Sequence, residues 1–293
     1  MIHKIFALLL ASLALLQTEA HPAAGPVPRS LGGDVVYTAR DSATVVRLLR
    51  EQVRGNDVLF YARQFLGRPY VGATLEGHDP ERLVVNLRGL DCTTFVETVY
   101  ALTLTKRQGS DKFSDFCQNL ERLRYRNGRR NGYLSRLHYF TWWMHDNLAR
   151  GTIVPVTDKA HCTAPIRVNN FYMSRYPDKY EMLRRHPEWV DSIAAMERAM
   201  NGPDGYYLPE QATGLSRREL GFVRDGDLIA IVTTRAGLDY SHLGLACWGK
   251  DGKLHMMHAS SLYKKVVMDP TDLYTYLKRQ KSAVGIRLFR LKP

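Results

Sequence analysis

Three residues of this 293-residue chain have the types and positions that nucleophilic catalysis needs: Cys92, His242 and His258. Cys92 follows Asp91 at the start of the clearest helical pattern in the sequence. A thiol in the first turn of a helix lies near the positive end of the helix dipole and near free amides, which lower its pKa and favour the reactive thiolate. The amides of Cys92 and Thr93 are also placed to hold the negative oxygen of a tetrahedral intermediate. The alternative is a small buried cysteine, which is common in a first turn.

The two histidines flank a predicted β-hairpin. His242 begins one strand-like run and His258 ends the next, with a Gly-Lys-Asp-Gly turn between them. If the connecting loop has an odd length (249–251 or 248–252), His242 lies directly opposite His258 on the same face. A loop of even length puts them on opposite faces unless a bulge intervenes.

The odd register also places Gly244 and Ala246 on the face of the histidines. This shallow patch is where we expect the Cys92 helix to lie. The result is a thiolate nucleophile, His242 as base and later acid, and His258 as the orienting residue. Two alternatives are that the three residues are unrelated hydrogen-bonded groups, or that His242, Cys247, His255 and His258 form a metal site. In the odd register Cys247 and His255 face away from the other two, so no metal is expected.

The surrounding pattern predicts an α+β fold. Asn56 and Asp91 are predicted helix caps, since their side chains accept hydrogen bonds from first-turn amides. The periodicity predicts helices over 42–53, 56–65, 91–105, 113–123, 135–148, 180–200 and 271–278. It predicts strands over 227–233, 242–248, 254–259 and 286–291. Helices first and an antiparallel sheet later are typical of the α+β class.

The N-terminus carries a secretory pattern. Lys4 precedes the apolar run Ile5–Leu16, and small residues surround a cleavage point after Ala20. The apolar run is shorter than the roughly 20 residues of a bilayer span, so no transmembrane anchor is expected. We interpret 1–20 as a signal peptide, 21–40 as a linker or N-terminal arm, and 41–293 as the domain that carries Cys92, His242 and His258. We expect the exported protein to be located in the periplasm or, as the alternative, to be secreted into the medium.

The net charge bears on the class of partner, and the cysteine content bears on disulfide bonds. The net charge of +12 is compatible with an anionic partner such as wall-peptide carboxylates, lipid head groups or nucleic acid, or simply with solubility. Cys92, Cys117, Cys162 and Cys247 show no disulfide framework. Cys92 is expected to be free, and the pairing of the other three stays open.

A series of motifs in fixed order resembles a known family. GRPY, DCTTFVE, GDLIAI, SHLGLA and HMMHAS together resemble the NlpC-type cysteine peptidases and amidases of bacterial cell walls, which have a papain-like core. The longer pattern resembles the N-acetylmuramoyl-L-alanine amidase-like branch: RPYVGATLEG, VVNLRGLDCTTFVETV, SRLHYF, GLDYSHLGLA and LHMMHASS. This resemblance covers almost all of the mature chain.

The resemblance implies Cys92 as nucleophile, His242 as base, His258 as third residue and Tyr70 as a residue that lines the site. It also implies hydrolysis of the amide between N-acetylmuramic acid and L-alanine, with anhydro-muropeptides as favoured substrates and no cofactor. Peptidoglycan fragments are then the partner, and nucleic acid is not expected. The region 106–220 is interpreted as a family-specific insertion that shapes the cleft.

Two other functions remain open. One is an endopeptidase that cuts between D-glutamate and diaminopimelate of the stem peptide. The other is a basic binding protein, for wall polymer or nucleic acid, with an inactive papain-like core. The sequence does not indicate an oligomeric state.

Weaker candidates surround the proposed site. Residues 121–136 carry six arginines and one glutamate, which suit stem-peptide carboxylates, but a solvated surface is the favoured interpretation for most of them. Arg136 and His138 are weak candidates for substrate contacts. Ser241 is a candidate to line the pocket or, equally, a strand-edge hydroxyl bonded to backbone. Asp91 is interpreted as a helix cap first and a site residue second.

Overall fold

The structure is a computed structural model that describes residues 29–30 and 35–293. The predicted signal peptide and most of the predicted arm lie outside the described residues. The described part of the arm belongs to the fold, because strands β1 (Arg29–Ser30) and β2 (Val35–Tyr37) pair with each other and helix α1 begins at Ala39. The last residues of the predicted linker or arm therefore form regular secondary structure.

The helices begin where the sequence supplies caps. Thr38, Asn56, Asp91 and Asp272 each accept a hydrogen bond from a first-turn amide of the helix that follows. The helices are α1 (Ala39–Arg50), α2 (Asp57–Arg63), α3 (Cys92–Arg107), α4 (Phe113–Arg124), α5 (Phe140–Ala149), α6 (Tyr172–Arg175), α7 (Glu181–Arg185), α8 (Val190–Met200) and α9 (Leu273–Lys278). The predicted helix over 180–200 is two helices, which are separated at Pro187.

The strands form one small sheet and one large sheet. They are β3 (Leu83–Val84), β4 (Ile153–Pro155), β5 (Ala164–Val168), β6 (Gly202–Pro209), β7 (Leu228–Thr233), β8 (Tyr240–Trp248), β9 (Leu254–Ser260), β10 (Lys265–Met268) and β11 (Ala283–Leu291). The small sheet has the order β1-β2-β3. The large sheet has the order β10-β9-β8-β7-β11-β6-β5, with β4 beside β11, and every pairing is antiparallel.

This arrangement confirms the α+β class and all four predicted strands. It also shows that the predicted insertion builds part of the sheet, because β4, β5 and β6 come from 106–220. These strands escaped prediction because most of their side chains are exposed or only half-buried, so they lack a hydrophobic alternation.

The large sheet has a core on each face. One core joins Phe95 and the other apolar residues of α3 to Leu243 and Leu245 of β8 and to Met257 of β9. The second core joins α9 to the side chains that alternate with these, including Ala246 and Met256. The strand alternation therefore assigns α3 and α9 to opposite faces of β8 and β9. Within residues 29–30 and 35–293, no helix combines the length and apolar character of a bilayer span.

Candidate active site

Asp91 positions Cys92 at the first residue of α3. The Asp91 carboxylate accepts a hydrogen bond from the Thr94 amide (2.8 Å), and the Thr94 hydroxyl accepts one from the Asp91 amide (2.9 Å). The capping box thus uses the Thr94 amide, and the Phe95 amide donates to the Asp91 carbonyl. The Cys92 amide remains as a first-turn donor for a ligand oxygen, and the Thr93 amide is directed toward the Cys92 sulfur.

The Cys92 sulfur lies against strand β8. The backbone N–H groups of Leu243 and Thr93 and the Thr93 hydroxyl all donate toward it, which favours the thiolate. Burial and the Asp91 carboxylate act in the opposite direction and raise the pKa of Cys92 to about 11. The expected lowering of this pKa is therefore wrong: the helix terminus is present, but desolvation and a neighbouring negative charge outweigh it. At neutral pH Cys92 therefore carries its proton.

The two histidines contact each other across the β8–β9 hairpin. Trp248 pairs with Leu254, so the connecting loop is 249–253, and continuation of this register places His258 across from Gly244. The loop has an odd number of residues, and the two imidazoles share a face. The prediction that His242 lies directly opposite His258 is wrong, because the strand register is offset by two residues. His242 is the diagonal neighbour, and its Nε2 lies 2.6 Å from Nδ1 of His258.

Gly244 permits this close packing. A Cβ on Gly244 would lie 2.4 Å from Cγ of Met256 and 3.1 Å from Cβ of His258. The patch that was expected to receive the Cys92 helix is thus filled by Met256, on the face that packs against α9. Helix α3 lies on the other face and brings its first residue to the backbone at Leu243, one residue from His242.

A carboxylate that the sequence analysis missed extends the histidine pair. His258 is fully buried, and its Nε2 lies 3.2 Å from Oδ2 of Asp269. Asp269 follows β10 and accepts hydrogen bonds at Oδ1 from the Thr271 amide (3.0 Å) and hydroxyl (2.8 Å). Burial opposes ionisation of Asp269, but the hydrogen bonds from His258 and Thr271 outweigh it and lower the pKa of this carboxyl.

The proton affinity of His242 is also altered. Burial, followed by the neighbouring His258, lowers the pKa of His242 well below 6.5, although the Asp269 carboxylate partly opposes this. His242 is therefore neutral at neutral pH, which is the state in which an imidazole accepts a proton.

Two tyrosines flank the thiol. Tyr70 is held by its amide, which donates to the Lys264 carbonyl, and the adjoining Pro69 carbonyl accepts from Leu90 just before α3. Burial, then the charges of Cys92 and Asp91, raises the pKa of Tyr70. Tyr276 of α9 packs edge-on to His258, with ring centroids 5.5 Å apart, and its pKa is raised by burial and by Asp269 and Cys92. The sequence predicted a helix at Tyr276 but gave no signal for a site residue.

Two candidates lie in the interior, away from these groups. The Arg136 guanidinium binds Glu76, lies 3.4 Å from Glu81 and donates to the Leu75 carbonyl (2.6 Å). His138 contacts the Tyr133 carbonyl at 3.0 Å, and burial followed by Arg136 lowers its pKa well below 6.5. Protein groups hold both side chains, which favours a structural role for them over contact with substrate.

The arginine-rich stretch is also not the solvated surface that was favoured. Arg122 and Arg129 are exposed, whereas Arg124 is buried against Glu97 (2.8 Å) and Arg126 stacks on Trp142. The stretch is largely structural.

Ser241 lies at the rim of the site. It is exposed and occupies a β-bulge in β8, between Tyr240, which pairs with Val232, and His242, which pairs with Ile231. The bulge changes the direction of the strand immediately before His242.

The remaining candidate ligands point elsewhere. His255 contacts Asp251 (3.0 Å), and Cys247 is buried in the core on the α3 face. The part of the chain that the structure describes contains no group of three metal-ligating side chains. Cys92, Cys117, Cys162 and Cys247 are all unpaired thiols.

The fold is of the α+β class, and comparison with known proteins specifies the family. The model of the N-acetylmuramoyl-L-alanine amidase-like (AmiA-like) family matches residues 61–286. The chain therefore belongs to this family of amidase-like hydrolases. No curated protein matches the chain significantly.

Solved structures agree with this assignment. An N-acetylmuramoyl-L-alanine amidase from Bacteroides uniformis is 40% identical, with a TM-score of 0.75 over 81% of this chain and 98% of that chain. A Bacteroides fragilis protein whose name proposes a xylanase is also 40% identical, with a TM-score of 0.73 over 78% of this chain and 98% of that one. A Legionella pneumophila protein at 21% identity shares the fold, with a TM-score of 0.67 over 87% of this chain and 95% of that one.

Proposed function

We propose that this protein is a cysteine amidase with an NlpC-type, papain-like core. It hydrolyses the amide between the lactyl group of N-acetylmuramic acid and L-alanine in peptidoglycan fragments, with anhydro-muropeptides as preferred substrates. One observation carries the proposal: the Cys92 thiol at the start of α3 lies against Leu243, next to a His242 that is hydrogen-bonded to His258. Family membership and the 40% identical amidase support the same reaction.

The first half of the reaction forms a thioester. His242 Nδ1 takes the proton from the Cys92 thiol, and the sulfur attacks the lactyl carbonyl carbon. The amides of Cys92 and Thr93 stabilise the negative oxygen of the tetrahedral intermediate. When the C–N bond breaks, His242 returns its proton to the leaving nitrogen of L-alanine, and the muramoyl group stays on the sulfur.

The second half releases the acid. A water molecule gives a proton to His242 Nδ1 and attacks the thioester carbonyl. Collapse of the second intermediate breaks the C–S bond, and the sulfur recovers its proton from His242. The chemistry consumes one water for each amide bond and requires no other reactant.

The neutral resting state explains why His242 is needed. Cys92 has a raised pKa and His242 has a lowered one, so both are uncharged before substrate binds. Proton transfer then creates thiolate and imidazolium together, and each charge stabilises the other. The thiol of this protein is activated by a general base and not by the helix terminus alone.

Positive charge at the rim fits an anionic substrate. Lys264 and Lys265 are exposed beside the loop that holds Tyr70, and the whole chain carries a net charge of +12. Stem peptides carry free carboxylates, which such lysines attract. We further propose that residues 1–20 direct export, so that the enzyme meets muropeptides in the periplasm.

Defined muropeptides, with and without the 1,6-anhydro sugar, test the function by product mass. The expected products are the disaccharide bearing a free lactyl carboxylate and an intact stem peptide with an N-terminal L-alanine. Cleavage between D-glutamate and diaminopimelate instead would identify the endopeptidase. Binding without any cleavage, unchanged in Cys92→Ala, would identify a binding protein.

A further inference from the structure

We propose that Asp269 is a positioning residue that determines, through His258, which nitrogen of His242 carries the proton. This role serves the cysteine mechanism proposed above and rests on it for its effect on catalysis. The tautomers themselves are a property of the resting protein and can be measured without turnover.

The evidence is an unbroken line of contacts from a loop to the base. Oδ2 of Asp269 lies 3.2 Å from Nε2 of His258, and Nδ1 of His258 lies 2.6 Å from Nε2 of His242. Asp269 and His258 are 3% and 0% exposed, so solvent does not compete for these contacts. Tyr276 covers the His258 ring from α9.

Donor and acceptor rules then fix every proton in the line. An ionised carboxylate only accepts hydrogen bonds, so Asp269 requires a proton on Nε2 of His258. A neutral imidazole has one donor and one acceptor nitrogen, which leaves Nδ1 of His258 as an acceptor. His242 must therefore donate from Nε2, and its Nδ1 is left without a proton. This is the form of His242 that can remove a proton from Cys92.

Thr271 fixes the orientation of the Asp269 side chain. Its amide and hydroxyl both donate to Oδ1 of Asp269. In Asp269→Asn these two donors hold the amide oxygen at the Oδ1 position, so the NH₂ group faces Nε2 of His258. That nitrogen must now accept, Nδ1 of His258 must donate, and Nδ1 of His242 becomes protonated. The substitution nearly preserves shape but reverses the tautomer of the base.

Asp269→Ala gives a different expectation. It removes the acceptor without supplying a donor, so both His242 tautomers are populated and part of the protein stays competent. A purely structural role predicts the opposite order, because alanine leaves a larger defect than asparagine. The order of the two variants therefore separates positioning from packing.

The first experiment measures kcat and KM on a defined muropeptide. We expect kcat to fall about 100-fold or more in Asp269→Asn, as for other wrong-tautomer variants, and about 10-fold in Asp269→Ala, with KM little changed in both. Asp41→Asn is the matched control, because Asp41 is equally buried (1% exposed) and accepts its bonds at the α1 cap and from Leu87. It should keep the wild-type kcat. A larger loss in Asp269→Ala than in Asp269→Asn overturns the proposal.

The second experiment needs no turnover, and its wild-type measurement needs no variant. Nitrogen-15 NMR of histidine-labelled wild-type protein should show His242 protonated at Nε2 and bare at Nδ1, with Asp269→Asn reversing the pattern. A wild-type His242 protonated at Nδ1 overturns the proposal. If the muropeptide is not cleaved but the predicted tautomer is found, the proposed function fails and the positioning role stands.

Discussion

The molecule contains two buried networks of ionisable side chains that differ in one respect. Around Arg136, the guanidinium is bound by Glu76, by Glu81 and by a backbone carbonyl, so the network is closed around its cation. The network of His242, His258 and Asp269 is saturated at the carboxylate end, while Nδ1 of His242 takes no part in it. A network closed around its cation stabilises the fold, whereas an imidazole nitrogen outside its network can exchange a proton. The following substitutions test this difference.

The open end of the histidine network should be the most sensitive position. His242→Ala removes both the base that deprotonates Cys92 and the acid that protonates the leaving amine, so we expect kcat to fall at least about 10⁴-fold. The melting temperature should change little, because His242 is only half-buried. Steady-state hydrolysis and thermal unfolding of the same preparation test both expectations. Retention of more than a tenth of wild-type kcat would remove His242 from the mechanism.

The closed network should respond in stability and not in rate. Arg136→Met leaves the carboxylates of Glu76 and Glu81 without their cation, which costs about 3–5 kcal/mol of unfolding free energy. Urea titration measures this loss, and kcat of the folded fraction should stay near wild type. Arg129→Met is the control, because Arg129 is exposed and should change stability by less than about 0.5 kcal/mol. A large kcat effect without a stability loss would show that Arg136 serves the site after all.

The middle of the histidine network should give an intermediate loss. His258→Ala removes the acceptor that orients His242 but leaves the base in place, so we expect kcat to fall about 100-fold, with an unfolding cost from the vacated core position. Measurement of kcat for His258→Ala and His242→Ala under the same conditions compares the two positions directly. An equal loss at both histidines would mean that His258 does more than orient its neighbour.

The pH dependence should be the mildest signature. His242 has a pKa well below 6.5 and must be neutral to act, so activity is lost as the pH falls through the pKa of His242. Cys92, with a pKa of about 11, stays protonated at neutral pH. His258, Asp269 and Tyr276 face this pair, and Asp269 stays ionised in the range where His242 is neutral because the Asp269 pKa is lowered. We expect kcat/KM to be level from about pH 7 to 9; an inflection inside this range would contradict the neutral resting pair.

Local signals in the sequence predicted the parts of the site that depend on local structure. The Asp91 cap, the helix from Cys92 and the strands that carry His242 and His258 all follow from side-chain period and capping. The shared face of the two histidines also followed, because any odd loop preserves it. The offset of two residues did not, since loops 249–251 and 249–253 both keep the histidines on one face.

The contacts that depend on tertiary pairing could not be predicted from the sequence. Asp269 approaches His258 only because β10 pairs with β9, with Val267 opposite His258, and no local feature marks this pairing. The ion pair of Arg136 with Glu76 was not predicted for a related reason: a run of arginines looks the same in sequence whether its carboxylate partners belong to a ligand or to a loop some 60 residues earlier. The raised pKa of Cys92 likewise reflects burial, which the helix position alone does not reveal.

Hydrolysis of an anhydro-muropeptide by wild type, Cys92→Ala and Cys117→Ala tests the central claim most directly. Cys117 is a buried thiol on α4 that takes no part in the proposed chemistry, so it controls for the loss of a cysteine as such. The account predicts release of L-alanine-terminated stem peptide by wild type and by Cys117→Ala, and none by Cys92→Ala with its fold intact. Undiminished release by Cys92→Ala would contradict it.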